Sequence, residues 1–158
     1  RCQLERSKLD LSKTDERRML FADLAAKSSK ILVLTEGVVP YLTNDQAASL
    51  AGDWRAQPAF RFWLLDYFAP EVMRYMKDPK RMRMLKNSPF RFEPRDWHAF
   101  FGERGWKARE IRYTAIESAK LKRPVPGPFW FRIIRPFIPA RKLEALSKFT
   151  GYVLLEPK

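Results

Sequence analysis

The run KILVLTEGVVPYLT, Lys30 to Thr43, constrains the fold more than any other stretch of this chain. Ile31 to Leu34 is an unbroken aliphatic run, and Thr35, Glu36 and Gly37 follow it at once. A short continuous run of this kind predicts a strand buried on both faces, as in a parallel sheet covered by helices. A long helix is excluded, because Gly37 and Pro40 interrupt the run. Asn44 can cap a new helix that carries Ala47, Ala48, Leu50 and Ala51 and ends near Gly52. The unit is strand, short loop, helix. In open α/β sheets, ligands bind beyond the carboxyl ends of the strands. Glu36 puts a carboxylate at that place.

The length of 158 residues is that of one domain, and 46% hydrophobic with 14% aromatic residues is enough for a core. The net charge of +13, from 31 Lys and Arg against 18 Asp and Glu, admits an anionic partner: nucleic acid, acidic lipid or an anionic substrate. The basic residues are scattered through every segment, with no low-complexity tail, and this favours a basic enzyme surface over nucleic-acid binding. A single cysteine, Cys2, excludes an internal disulfide framework and a CxxC metal site, and points to a reducing cytoplasm. No apolar run approaches the roughly 20 residues of a membrane-spanning helix. No secretory signal is visible, and the start at Arg1, without Met, suggests a processed product or a fragment.

Along the chain, Cys2 to Leu11 reads as a strand. Ser12 or Thr14 can cap the following helix, whose apolar stripe is Met19, Leu20, Leu24 and Ala25. Phe60 to Tyr67, FRFWLLDY, is a second strand with Asp66 near its end. Pro70 to Val72 starts a helix with Val72, Met73 and Met76 on its apolar face. Pro89 to Pro94 alternates. Asp96 caps a helix from Trp97 to Arg104 with Phe100 and Phe101 inward, and Gly105 ends it in the left-handed conformation. Trp106 to Thr114 alternates as a strand. Pro124 to Pro139 is a Pro- and aromatic-rich excursion, about 124–141 in all, which no sheet interior accepts. A short helix from Arg141 to Phe149, ended by Gly151, precedes a last strand, Tyr152 to Leu155. The alternation predicts an α/β fold.

Asp10 and Glu36 each follow a strand in this scheme, so both can line one crevice and meet hydroxyl, amino or cationic groups of a ligand; helix capping or surface charge are the alternatives. His98, the only histidine, lies among aromatics and suits packing or the surface better than catalysis. One His and one Cys argue against a zinc or di-iron site. No GxSxG, P-loop or HExxH pattern supports a hydrolase or an NTPase. Lys77, Lys80, Arg81, Arg83 and Lys86 can contact phosphates or form the solvated face of a helix whose core side is Met73, Met76, Met82 and Met84. Phe129, Trp130, Phe131, Ile133, Ile134 and Phe137, with Arg132, Arg135 and Arg141, suit a membrane-surface contact or an apolar substrate wall, or else a lid packed over the core.

VLTEGVVPYLT resembles the signature of the leucine carboxyl methyltransferase-like family of S-adenosylmethionine-dependent methyltransferases, in which an aliphatic strand is followed by (T/A)EG, two or three apolar residues and YL. Asp10-Leu11 a helix-length upstream, the Arg17–Arg18 helix, PFRFEPRDWHAFFGERGWKA and the terminal GYVLLEP extend the resemblance over most of the chain. It implies a Rossmann-like class I methyltransferase fold lacking its N-terminal strands. With the family sheet order 3-2-1-4-5-7-6, residues 1–158 would be the C-terminal portion of one methyltransferase domain, supplying strands 3 to 7 and leaving strand 4 with an apolar edge open to self-association. By position, Asp10 would accept from the adenine amino group, the Leu11 backbone would meet the ring, Glu36 would sit near the methionine end, and Tyr41 would flank the crevice. Phe129, Trp130 and Arg132 would help form the pocket of a small-molecule acceptor. The chemistry implied is methyl transfer from a sulfonium to a carboxyl or hydroxyl oxygen, with no metal and with catalytic residues unassigned. Proximity and orientation would supply most of the rate. The Gly-rich donor-binding turn is absent from this sequence, so weak or no donor binding is expected from the chain alone. The competing expectation is a non-catalytic basic module for nucleic acid or acidic membrane.

Overall fold

The computed structural model describes residues 2–76, 78, 83, 88–123 and 135–158. These form an α/β fold around an open four-stranded mixed sheet of order β1-β2-β4-β3. β1 is Ile31–Thr35, β2 Phe60–Phe68, β3 Trp106–Tyr113 and β4 Thr150–Pro157. β1 and β2 are parallel, with Leu34 opposite Leu64, and the helix α2, Asn44–Arg55, makes the crossover that parallel pairing demands. β4 runs antiparallel to both neighbours, setting Tyr152 opposite Asp66 on one side and Arg112 on the other. Gly151 is required at this crossing. A Cβ there would stand 2.4 Å from the Arg112 carbonyl oxygen, so no side chain fits between β4 and β3.

The covered face of the sheet holds the core. Trp63, Leu65, Val153 and Leu155 alternate inward and are fully buried, meeting Leu50 and Trp54 of α2, Trp106, and Phe101 of α4, Trp97–Gly102. The tryptophans interlock edge to face, Trp63 with Trp54 at 4.6 Å and with Trp106 at 5.9 Å. Their polar edges are satisfied where the chain allows: Trp63 Nε1 donates to Thr35 Oγ1 (2.8 Å) and Trp106 Nε1 to the Ala51 carbonyl (3.0 Å). The opposite face is different. Leu32 and Leu34 are each 59% exposed, and Phe62, Leu64, Tyr152 and Leu154 beside them are only half-buried.

Several sequence expectations need correction. Cys2 to Leu11 is not a strand. It is a largely exposed, charged segment that ends in a turn, where Asp10 Oδ1 accepts from the Ser12 N–H (2.9 Å) and hydroxyl (2.7 Å). Neither Ser12 nor Thr14 caps α1, Thr14–Lys27; Lys13 holds the cap position without a side-chain bond. The stripe of α1 holds in part: Leu20 and Ala25 pack against the core, whereas Met19 is 68% and Leu24 37% exposed, and Phe21 and the buried Arg17 dock the helix beside them. For α2 the cap is Thr43, in a reciprocal capping box with Gln46, and the helix runs past Gly52 to Arg55. Asn44 instead clamps a distant segment, its side chain accepting from the Glu93 N–H (2.9 Å) and donating to the Glu93 carbonyl (3.1 Å).

The later chain agrees more closely. α3, Pro70–Met76, starts at its proline, and Asp96 caps α4 by accepting from the Ala99 N–H at 2.9 Å. α4 stops at Gly102, two residues before the expected Arg104, and Gly105 has φ +79°. Pro89 to Pro94 forms no strand. The sequence reading omitted α5, Thr114–Lys120, which follows β3 directly. α6, Ala140–Ser147, precedes β4, which begins at Thr150 and so contains Gly151. Residues 124–134, including Phe129, Trp130 and Arg132, lie outside the described residues, as do Lys77, Lys80, Arg81, Met82, Met84 and Lys86.

Candidate functional site

Three elements bring polar side chains together beyond the carboxyl ends of β1 and β2. Glu36 follows β1 and is exposed; Asp66 lies near the end of β2; Tyr152 comes from the start of β4, in register with Asp66. Tyr152 Oη donates to Glu36 Oε1 at 2.8 Å. The Gly37 N–H donates to Asp66 Oδ2 at 2.6 Å. That bond needs the sharp turn after β1, where Gly37 adopts φ +63°, a conformation costly for residues with a Cβ. Burial, with the charge of Glu36 adding to it, pushes the Asp66 carboxyl above its ordinary range, although the Gly37 N–H holds it back. The Tyr152 hydroxyl is pushed up as well, first by its hydrogen bond to Glu36 and then by burial.

Next to this cluster lies a cavity of about 470 Å³. Val39 and Pro40 from the turn after β1, Asp66 and Phe68 of β2, Met73 and Arg74 of α3, and the Phe92–Arg95 segment with Trp97 line it. The bonds from Asn44 to Glu93, together with the N–H groups of Arg91 and Phe92 donating to the Pro40 carbonyl, hold that segment over the sheet end. The combination is a mainly apolar, partly aromatic cleft with Asp66, Glu93, Arg74 and Arg95 in its wall, the usual composition of a small-molecule site.

The expected residues divide. Glu36 stands at the site. Tyr41 sits in the 3₁₀ turn Val39–Tyr41 and packs edge-on against Phe90 at 5.1 Å, outside the cavity lining. Asp10 is engaged in its own turn with Ser12, whereas Glu36 is held by Tyr152. The Leu11 carbonyl accepts from Arg17 Nη1 (2.6 Å), which fixes this backbone. His98 is exposed, in ring contact with Trp97. Asp66 and Tyr152 escaped the sequence reading as site residues. The signal available was their alternation: each occupies the uncovered face at the end of its strand. Arg17 was also missed; buried, it bonds Asp53 and Ser49 of α2 and thereby ties the 10–12 turn to the body of the fold.

Among the described residues, no group of three or more His, Cys, Asp and Glu side chains is placed to hold a metal ion, and no helix is long and apolar enough to cross a membrane. In comparisons with known proteins, no family model and no curated sequence matches the chain.

Proposed function

We infer that the chain is the C-terminal portion of a class I S-adenosylmethionine-dependent O-methyltransferase domain of the leucine carboxyl methyltransferase-like kind. The observation that carries this reading is the strand order β1-β2-β4-β3 with Glu36 at the carboxyl end of β1. That order corresponds to strands 4-5-7-6 of the family sheet, and β1 carries the VLTEG run at the strand-4 position. The exposed Leu32 and Leu34, on a strand paired on one side only among the described residues, support further strands and a helix beside β1 in the working protein.

The residues present fit part of the donor. Glu36 has one carboxylate oxygen held by Tyr152 and suits an ammonium or a hydroxyl group; Asp10, held by Ser12, suits an amino group such as that of adenine. When bound, S-adenosylmethionine supplies a methyl group on a positively charged sulfur. The protein's share is to fix the carboxylates and to hold the acceptor in the adjoining cavity, excluding water with Phe68, Phe92 and Trp97. Hydrogen exchange, with and without S-adenosylhomocysteine, on a longer chain carrying additional strands upstream tests this. Protection at residues 36–43 and around 10–12 is expected; unchanged exchange in both places contradicts it.

A further inference from the structure

The cavity beside Asp66 is walled mainly by apolar and aromatic side chains. Phe68, Phe92, Trp97 and Met73 supply an apolar wall, and about 470 Å³ lies within the range of sites that take small organic ligands. Asp66 Oδ2 accepts from the Gly37 N–H, the Asp66 backbone N–H also steadies the carboxylate, and a carboxylate has lone pairs for further donors. A second carboxylate, Glu36, stands close enough to raise the Asp66 carboxyl. Of the two guanidinium groups in the lining, Arg74 pairs with Glu71 at 3.3 Å, and Arg95 is exposed and shares the lining with Glu93. A carboxylate or sulfonate entering as far as Asp66 would face like charge in a partly desolvated place, whereas a hydroxyl there donates a hydrogen bond to a charged acceptor, among the stronger kinds.

We propose that this cavity binds aryl hydroxyl compounds and that Asp66 is the specificity-determining residue, accepting the hydrogen bond of the hydroxyl. The proposal rests on the methyltransferase reading for the fate of that hydroxyl, and on the cavity alone for its binding.

Calorimetric titration of the 158-residue chain with 2-naphthol and with naphthalene-2-sulfonate at neutral pH tests it. The expected result is 2-naphthol bound about tenfold or more tighter, the size of one charge-assisted hydrogen bond. Asp66→Asn keeps an oxygen acceptor for the Gly37 N–H and should abolish the preference by letting the sulfonate in. Trp97→Ala should weaken 2-naphthol in a chain that still melts cooperatively. Equal or tighter sulfonate binding, no binding of 2-naphthol, a preference that survives Asp66→Asn, or indifference to Trp97→Ala each overturns the proposal. Binding of S-adenosylhomocysteine is measured separately on the longer chain: its absence beside a sound naphthol preference would reject the methyltransferase reading and leave this one standing.

Discussion

Arg17 is a cation almost fully enclosed by the fold, with its guanidinium shared between Asp53, Ser49 and the Leu11 carbonyl. Removing one member of a buried, hydrogen-bonded ion pair leaves the other uncompensated, at a cost of about 3–5 kcal/mol. Arg17→Met should therefore destabilise the chain by an amount near the lower end of that range, since Arg18 still reaches Asp53 (2.8 Å) from its exposed position. Arg18→Ala should change little. Urea denaturation of the two variants checks both. At the site, Asp66 has a folded value raised above the ordinary carboxylate value of about 3.9. A raised group contributes stability below its unfolded value and loses it as pH rises through the folded one. The charged form is thus the less favourable one in the native state. Asp66→Asn, which cannot titrate, should gain most over wild type at neutral pH, and thermal melts should show the gain shrinking as the solution is acidified. The same sign holds for Tyr152: its contribution is present below about pH 10 and fades at higher pH, so Tyr152→Phe should remove an alkaline loss of stability.

Elements were legible where local chemistry and packing agree. The aliphatic run of β1, the proline opening α3, Asp96 capping α4, and Gly105 closing that region all follow from short-range rules, and tertiary contacts reinforce them. The failures arose where long-range partners decide. Cys2 to Leu11 alternates loosely but has no strand beside it among the described residues, and its polar groups settle into a turn around Asp10. Met19 fits a helical stripe, yet α1 turns Arg17 inward because Asp53, 36 positions along the chain, pairs with it. Thr43 rather than Asn44 caps α2 because Gln46 stands where the reciprocal bond needs it, which leaves Asn44 to clamp Glu93. At this scale, Thr43→Ala should cost about 1 kcal/mol, the usual value of a lost cap, measurable by chemical denaturation. Gly151→Ala should be far worse tolerated than an ordinary strand substitution, because β3 would have to withdraw from β4 to admit the methyl group. The expected loss is about 1–3 kcal/mol or more, the range of overpacking strain. The site was half legible for the same reason: Glu36 is announced by its motif, whereas the roles of Asp66 and Tyr152 depend on a register between strands more than 80 residues apart in sequence.

For the molecule as a whole, the sheet is asymmetric. One face is closed by aromatic packing, and the other presents Leu32 and Leu34 on a strand that is an edge among the described residues and contains no charge. Natural edge strands are usually blunted by charge or covered, because an open apolar edge invites association. Leu32→Lys with Leu34→Lys should therefore reduce concentration-dependent association in sedimentation velocity and leave the melting transition nearly unchanged, since the core side of β1 is carried by Ile31, Val33 and Thr35. The central claim, that this sheet is the acceptor-side portion of a methyltransferase domain, is tested most directly by calorimetric titration of S-adenosylhomocysteine into the 158-residue chain and into one extended upstream beside β1. The account predicts binding by the longer chain, lost on Glu36→Ala, and weak or no binding by the shorter. Failure of both to bind would contradict it.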